Sequence, residues 1–274
     1  MNFFPQKLLP ALAVGFVIPL MPLHGQPTPA VPPPGRPGSA VCKWEDLKVT
    51  PTGAGVRRDV MDRPTATLAR FECHVTTLNP GNMSHPPHRH PQEELIILQA
   101  GTLAVSINGR VTTAGPGSLF FFAADDLHNM TNTGAVPATY FVFSLYVPPG
   151  APAGPARLGS SVFDWTQLAV HPTPTGARRD VVDAPTATLA SFECHITTLN
   201  PGVAPHPPHH HPDEEFVLVK EGALEVMQNG VTTRAGAGSV LFCASNEEHG
   251  WHNAGAVPVT YYVFRVVTAA TPKA

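Results

Sequence analysis

The chain contains one long segment twice. The string RRDVMDRPTATLARFECHVTTLNPG, which begins at Arg57, matches RRDVVDAPTATLASFECHITTLNPG, which begins at Arg178, without a gap. The same shift of 121 residues relates Trp44 to Trp165 and the later segment GAVPATYFVF to GAVPVTYYVF. Each copy is therefore roughly 105 residues long, an ordinary length for a single domain. The sequence predicts two similar domains, so a fold assigned to one copy must also suit the other.

The repeat divides the chain into two domains and the segments that flank them. Near the N-terminus, LLPALAVGFVIPLMPL is short for a membrane-spanning helix and is interrupted by prolines. We therefore predict a cleaved signal peptide and a secreted or periplasmic protein, with a retained membrane anchor as the alternative. The proline-rich PTPAVPPPGRPG is typical of an extended spacer. The predicted organisation is a signal peptide over residues 1–25, a spacer over 26–40, a first domain over 41–146, a linker over 147–160 and a second domain over 161–268.

The composition favours a β-rich fold and argues against some partners. Only 14% of the residues are charged, and the 32 prolines and 23 glycines indicate many turns. The net charge of −3 and the lack of a basic cluster predict no nucleic-acid partner. Four cysteines are too few for a disulfide scaffold, and their pairing stays open at this point. These cysteines are Cys42, Cys73, Cys194 and Cys243.

Strand patterns recur within each copy. TLARFECHVTTL alternates apolar and polar residues, with Phe71 and Cys73 on one face and Glu72 and His74 on the opposite face. TLAVSINGRVTTAGPGS predicts two strands joined by a hairpin turn at its Asn-Gly pair. The runs SLFFFAA and ATYFVFSLYV predict further strands. Short strands separated by turn residues predict a small β-barrel or sandwich in each domain.

Histidines and glutamates cluster at equivalent positions in both copies, in HPPHRHPQEELIILQAG and HPPHHHPDEEFVLVKEG. In an extended segment the period of two places His88 and His90 on one face, and Glu94 keeps that parity. Two imidazoles and one carboxylate on one face are a common ligand set for a divalent first-row metal. His128, in DDLHNMTN, is the candidate fourth donor. The matching set in the second copy is His209, His211, Glu215 and His249.

These residues resemble the two signature motifs of the cupin superfamily. The first motif, HxH followed by E and then by G, is filled by His88, His90, Glu94 and Gly101, and again by His209, His211, Glu215 and Gly222. The second motif is filled by Gly117, His128 and Asn132, and again by Gly238, His249 and Asn253. The spacing between the motifs resembles that of compact microbial cupins. One departure is that Asp125 and Asn246 stand where the family has a glycine, and these residue types tolerate a positive φ.

The resemblance implies an all-β protein made of two tandem cupin barrels, the double-stranded β-helix or jelly-roll fold. It also implies up to one metal ion per barrel, held by three histidines and one glutamate. Because no thiolate takes part, Mn²⁺ or Fe²⁺ fits best, with Ni²⁺, Co²⁺ and Zn²⁺ as alternatives. Four protein donors leave about two positions of an octahedral ion open for water or substrate.

Other side chains have two interpretations each. Glu72 with His74, and Glu193 with His195, are acid/base or supporting groups if their strand face lines the barrel, but the pattern alone favours an exposed polar face. His85 and His206 either line the barrel mouth and shuttle protons or lie in solvated loops. Arg57 and Arg178 bind an anionic substrate or form ion pairs with nearby aspartates. Glu93 and Glu214 have the wrong parity for the metal, so we expect outward-facing charges.

Two functional hypotheses follow. The first is a mononuclear-metal enzyme of the dioxygenase, decarboxylase or isomerase type that acts on a small oxygenated organic molecule. The alternative is a non-catalytic protein that binds a sugar or an organic acid and has a structural metal. Because one fold hosts many reactions, the reaction class rests on resemblance. The expected partners are a small molecule, no nucleic acid and no membrane after signal cleavage. A homo-oligomer stays open, although two barrels in one chain already supply the pairing of a single-domain cupin dimer.

Overall fold

The computed structural model describes residues 38–148 and 158–273. The predicted signal peptide (1–25) and most of the predicted spacer and linker lie outside the described residues. The described chain consists of β-strands and two short 3₁₀ helices, Trp44–Asp46 and Trp165–Gln167, which confirms the all-β prediction. Within these two ranges, no helix is long and apolar enough to cross a membrane.

The two halves contain the same succession of strands. The strands of the first half are β1 (Ala40–Cys42), β2 (Val49–Thr52), β3 (Gly55–Arg63), β4 (Arg70–Leu78), β5 (Glu93–Ala100), β6 (Leu103–Ile107), β7 (Arg110–Ala114), β8 (Leu119–Phe122), β9 (His128–Asn132) and β10 (Ala138–Tyr146). Those of the second half are β11 (Ser161–Phe163), β12 (His171–Thr173), β13 (Gly176–Ala184), β14 (Ser191–Leu199), β15 (Glu214–Glu221), β16 (Ala223–Gln228), β17 (Val231–Gly236), β18 (Val240–Cys243), β19 (His249–His252) and β20 (Val259–Val267).

Each half forms a jelly-roll of one large and one small sheet. The first barrel has a seven-stranded sheet in the order β11-β8-β5-β10-β4-β3-β2 and a three-stranded sheet in the order β7-β6-β9. The second barrel has the orders β1-β18-β15-β20-β14-β13-β12 and β17-β16-β19. Apolar side chains from both sheets fill the interior of each barrel, such as Ile96 with Leu103 in the first and Val217 with Leu224 in the second. This arrangement agrees with the predicted barrel or sandwich.

The first strand of each half pairs with the large sheet of the other half. β1 runs antiparallel to β18, with Val41 opposite Leu241, and β11 runs antiparallel to β8, with Val162 opposite Phe120. Strand pairing therefore crosses the predicted domain boundaries. Ala40, the last residue of the predicted spacer, begins β1.

The tryptophan that follows β1 or β11 packs against a glycine of the opposite barrel and leaves no room for a larger residue there. A Cβ atom on Gly117 would lie 2.6 Å from the ring of Trp165, and one on Gly238 would lie 2.7 Å from the ring of Trp44. Both glycines also have a positive φ, 92° and 85°, which other residues rarely adopt. The two halves thus contact each other through the second motif as well as through their strands.

The two barrels share a third apolar core. Phe71 and Cys73 of β4 and Phe192 and Cys194 of β14 all belong to this core, together with side chains of β5, β8, β15 and β18. Across the interface, the rings of Phe71 and Phe216 stack with their centroids 4.3 Å apart. All four cysteines are free, and Cys73, Cys194 and Cys243 are buried. The predicted alternation of apolar and polar residues along β4 and β14 is therefore confirmed, and the apolar face of each strand contacts the other barrel.

Two turn predictions are confirmed. The hairpin between β6 and β7 turns at Asn108 and Gly109, whose φ angles are 50° and 83°. Asp125 and Asn246, which stand where the cupin motif has a glycine, have φ angles of 63° and 61°. Their short polar side chains tolerate the left-handed region, so the turn before each second-motif histidine survives the replacement.

Candidate metal centres

The backbone brings the two histidine motifs of each barrel together. His88 and His90 lie in the loop before β5, and His128 begins β9. The backbones of His88 and His128 exchange two hydrogen bonds, with N–O distances of 3.2 and 3.0 Å. His209 and His249 form the same pair, with both distances 2.9 Å. The loop histidines are therefore positioned by pairing with β9 or β19 and not by a continuous strand.

In the second barrel the four predicted donors converge. The candidate ligand atoms of His209, His211, Glu215 and His249 all lie within 4.8 Å of one another. Oε2 of Glu215 is 2.8 Å from Nε2 of His211 and 3.4 Å from Nε2 of His249. Glu215 and His249 are 5% and 1% exposed. Nitrogen and carboxylate donors that face one point in this way fit a divalent cation.

The donors of the first barrel are slightly less compact. His88, His90 and His128 have candidate ligand atoms within 4.8 Å of one another. Oε2 of Glu94 lies beside them, 3.4 Å from Nε2 of His90 and 3.8 Å from Nε2 of His128. Ser144 donates a hydrogen bond from Oγ to the other oxygen of Glu94 at 2.8 Å. The structure thus places all eight predicted residues in two groups, and their role as ligands stays a prediction.

The histidine tautomers suit metal binding. Nδ1 of His128 and Nδ1 of His249 each lie 2.9 Å from a backbone carbonyl oxygen, of Asp126 and Glu247 respectively. Because a carbonyl only accepts, Nδ1 carries the hydrogen and Nε2 keeps its lone pair. Within the described part of the chain, Nε2 of His90, of His128 and of His249 is buried and has no hydrogen-bond partner. Buried unpaired nitrogens are costly, and coordination to an ion would satisfy them.

A cavity of about 500 Å³ opens onto the candidate ligands of the second barrel. The ligand candidates His209, His211 and Glu215 form part of its wall, and His195 and Arg265 form another part. A separate cavity of about 610 Å³ lies against the outer side chains of β16 and contains none of the eight ligand candidates in its wall. Of the two cavities, only the one of about 500 Å³ therefore adjoins the candidate ligands.

The polar face of β14 lines this cavity, so the favoured interpretation of an exposed polar face is wrong. Glu193 and His195 both lie in the cavity wall, and their side chains are only 11% and 14% exposed. The physical reason is that the opposite, apolar face of β14 packs against the other barrel, which turns the polar face inward. In the first barrel, Glu72 and His74 are equally buried, at 11% and 13%.

A carboxylate orients the imidazole in each barrel. Nδ1 of His195 donates to Oε1 of Glu193 at 2.7 Å, and Nη2 of Arg178 donates to the same oxygen at 3.0 Å. Burial raises the pKa of Glu193, but the hydrogen bond from His195 and the charges of Arg265 and Arg178 lower it below its usual value. Glu193 is therefore an ionised partner. In the first barrel, His74 donates to Glu72 at 2.8 Å in the same way.

Arg265 distinguishes the second barrel and was not among the sequence-based candidates. Its Nε lies 3.4 Å from Glu193, and its Nη1 lies 3.5 Å from Asp213, which in turn lies 3.3 Å from Nδ1 of His211. Burial lowers the pKa of His211, but the hydrogen bonds that its imidazole donates to the carboxylates of Asp213 and Glu215, together with their negative charges, outweigh burial and raise the pKa to about 10.

Among the described residues, the first barrel has no counterpart of this chain of charged groups. Ser144 and Gln92 occupy the positions of Arg265 and Asp213 there. A comparison of the two copies could have found Arg265, because a serine-to-arginine difference interrupts an otherwise similar strand.

The remaining sequence candidates lie at the rim or in ion pairs. His85 and His206 are exposed, with ring centroids 5.2 Å from His88 and 4.3 Å from His209. His206 also lies in the wall of the cavity. Arg178 forms the expected ion pair with Asp180 at 2.6 Å. It also lines the cavity, and the binding of an anionic substrate there stays a prediction.

Glu93 and Glu214 are not outward-facing charges, contrary to the sequence-based expectation. Both are 0% exposed. Parity does direct them away from their own barrel, but the other barrel lies there and supplies hydrogen-bond donors to them. They belong to the inter-barrel contact.

Comparisons with known proteins agree with this architecture. A search of curated proteins found no match. Among solved structures, AerE from Microcystis aeruginosa is 15% identical with a TM-score of 0.63, over 81% of this chain and 97% of that chain. The oxalate decarboxylase of Lactobacillus farciminis, in a formate complex, is 19% identical with a TM-score of 0.65, over 86% and 89%. A putative glyoxylate-induced protein from Pseudomonas aeruginosa is 18% identical with a TM-score of 0.66, over 84% and 88%.

These structural similarities establish the fold, and a sequence model establishes the family. The model of the cupin domain matches residues 74–147 and 195–265, which is more than half of the chain and includes part of each copy. Together with the two jelly-roll barrels, this match means that the chain belongs to the cupin family and contains two cupin domains.

Proposed function

We propose that the protein is a metal-dependent enzyme that acts on a small oxygenated organic molecule in its second barrel. One observation carries this proposal. A single cavity of about 500 Å³ has three of the four converging metal-ligand candidates and an imidazole oriented by a carboxylate in its wall. A binding site needs the cavity alone, whereas an enzyme also benefits from a group that can take up a proton.

The proposed ligands of the second barrel are His209, His211, Glu215 and His249. Their nitrogen and carboxylate donors suit Mn²⁺ or Fe²⁺, with Ni²⁺, Co²⁺ or Zn²⁺ as alternatives. A bound divalent ion would supply Lewis-acid polarisation of substrate oxygens. The first barrel would hold a second ion through His88, His90, Glu94 and His128. Manganese is also named for the similar oxalate decarboxylase of Bacillus subtilis, which is 17% identical to this chain.

The protein residues around the cavity have separate roles in this proposal. Nδ1 of His195 is hydrogen-bonded to Glu193, which leaves Nε2 to accept a proton from the substrate and later to return it. Arg178 and Arg265 keep Glu193 ionised and in place. Such chemistry is compatible with the dioxygenase, decarboxylase and isomerase types of reaction. The similar structures that include oxalate decarboxylases support a small organic substrate.

Metal content is the first prediction. The purified protein, expressed in metal-replete medium, is expected to contain about two divalent ions per chain, since both donor sets are complete. The double variants His88→Ala/His90→Ala and His209→Ala/His211→Ala are each expected to retain about one ion. Elemental analysis of the three proteins, with circular dichroism as the control for folding, provides the measurement. Less than about 0.1 ion per chain in the unsubstituted protein would contradict the proposed sites.

Turnover distinguishes an enzyme from a binding protein. A panel of small organic acids and sugars would be incubated with the protein loaded with each candidate metal. An enzyme should lose turnover on His209→Ala while its fold is retained. Thermal stabilisation by a compound without its conversion in any metal form would favour the binding protein instead.

We also propose that the protein is exported, which the mass of the mature chain in the periplasm or medium would test.

A further inference from the structure

A buried carboxylate precedes each candidate glutamate ligand, and the other barrel binds it. Glu214, the first residue of β15, is 0% exposed. Its Oε2 accepts hydrogen bonds from the hydroxyls of Thr65 and Thr67, both at 2.6 Å. Its Oε1 accepts a hydrogen bond from the backbone N–H of Ala66 at 2.9 Å. Three donors from one loop of the first barrel thus surround a carboxylate of the second.

The same contact occurs in the opposite direction. Glu93, the first residue of β5, accepts hydrogen bonds from the hydroxyls of Thr186 and Thr188 at 2.5 and 2.7 Å. The backbone N–H of Ala187 donates to its second oxygen at 3.0 Å. The two loops that donate are the PTAT segments of the repeat. The contact is therefore reciprocal, because each barrel supplies a loop of hydrogen-bond donors and a glutamate that accepts from the other barrel's loop.

The position of this contact relates it to the metal. Side chains alternate along a strand. Glu214 therefore points to the other barrel, and the next residue, Glu215, points into its own barrel. Hydrogen bonds to a charged acceptor are short and strong, and a buried carboxylate without them would be costly. The loop of the first barrel therefore fixes the backbone of β15 at the residue before the candidate ligand. Partners that orient ligands commonly change metal affinity by about 10- to 100-fold.

We propose that each barrel positions the metal site of the other, with Glu93 and Glu214 as the positioning residues. The loop that contains Thr67 sets the affinity of the second-barrel site, and the loop that contains Thr188 sets that of the first. This inference rests on the metal binding of the proposed function. It does not depend on which reaction the protein performs.

A crossed experiment in the full chain tests the inference. The first site is disabled by His88→Ala/His90→Ala, so that Zn²⁺ binding reports only on the second. Thr67→Val or Thr188→Val is then added, and Zn²⁺ affinity is measured by competition with a chelating dye. The hydroxyl of Thr67 bonds only to Glu214 and that of Thr188 only to Glu93 within the described residues. The backbone of Thr67 keeps its separate hydrogen bond from Thr268, so the loop is retained.

The two substitutions should differ sharply. Thr67→Val is expected to weaken Zn²⁺ binding at the second site about tenfold, the lower end of the range for outer partners. Thr188→Val should change it by less than about twofold, and Thr67→Ser should restore it, because serine keeps the hydroxyl. The mirror experiment, with His209→Ala/His211→Ala, should reverse the order of the two valine variants.

Other outcomes have distinct meanings. Equal weakening by both valine variants would indicate a general interface contact and overturn the inference. Unchanged Zn²⁺ affinity in both would overturn it as well, while leaving the proposed metal sites intact. No Zn²⁺ binding in the unsubstituted protein would instead reject the proposed function and the inference together. Thermal unfolding of each variant identifies any protein that has lost its fold. If a variant has lost its fold, the mirror experiment at the other site decides whether the inference holds.

Discussion

Replacing His195 with glutamine is expected to lower turnover by about 10²- to 10⁴-fold, the range that a positioned acid or base contributes. The imidazole lines the cavity of the second barrel, and Glu193 occupies its Nδ1, which leaves Nε2 for proton transfer. Metal content should not change, because His195 is not one of the candidate ligands. The measurement is the turnover number, once a substrate has been found in the panel, together with elemental analysis.

The first barrel offers a matched control. His74 forms the same pair with Glu72, yet its barrel lacks counterparts of Arg265 and Asp213. His74→Gln should therefore leave turnover within about twofold of the unsubstituted protein, as expected for a change distant from the reacting atoms. Equal losses in both variants would contradict the assignment of chemistry to the second barrel.

A readout without turnover tests the role of Glu193. In ¹⁵N histidine spectra of the zinc-loaded protein, His195 should carry its proton on Nδ1, because the carboxylate accepts there. Glu193→Gln weakens this preference, since an amide can also donate, and the population with the proton on Nε2 should rise. A merely structural role of Glu193 would leave the tautomer unchanged, so an unaltered spectrum would argue against an oriented base.

The positions of the candidate ligands could be predicted because they depend on local spacing and on the repeat. His88, His90 and Glu94 were found from parity, and the structure places them together with His128. The reason was only partly right, since the histidines lie in a loop that pairs with β9 and not in β5 itself.

Contacts between the barrels could not be predicted from the local pattern. Alternation along β4 and β14 separates the two faces but does not say which one enters the barrel, and here both are covered. Glu214 points in the expected direction, away from its own barrel. The sequence does not reveal that the hydroxyls of Thr65 and Thr67 donate hydrogen bonds to it there. The exchange of β1 and β11 joins residues some 200 and 40 positions apart, as Val41 with Leu241 and Val162 with Phe120 show. No periodicity encodes such pairing.

The shared core gives the second prediction of large effect, which concerns stability. Phe71→Ala is expected to reduce the free energy of unfolding by about 3–5 kcal/mol, the usual cost of removing a buried phenylalanine ring. Phe71 is 0% exposed, stacks on Phe216 of the other barrel at 4.3 Å, and lies 6.4 Å from Phe143 of its own. Denaturant titration followed by fluorescence and circular dichroism measures the change.

The same titration tests whether the barrels unfold as one unit. Because the core, the exchanged strands and the buried glutamates all join the two halves, we expect a single transition with coincident probes in the unsubstituted protein. Val111→Ala is the control, since this side chain is 62% exposed and its truncation should change stability by less than about 0.5 kcal/mol. Two separate transitions, with only one of them sensitive to Phe71→Ala, would mean that each barrel is stable alone. The shared core would then contribute to docking and not to folding.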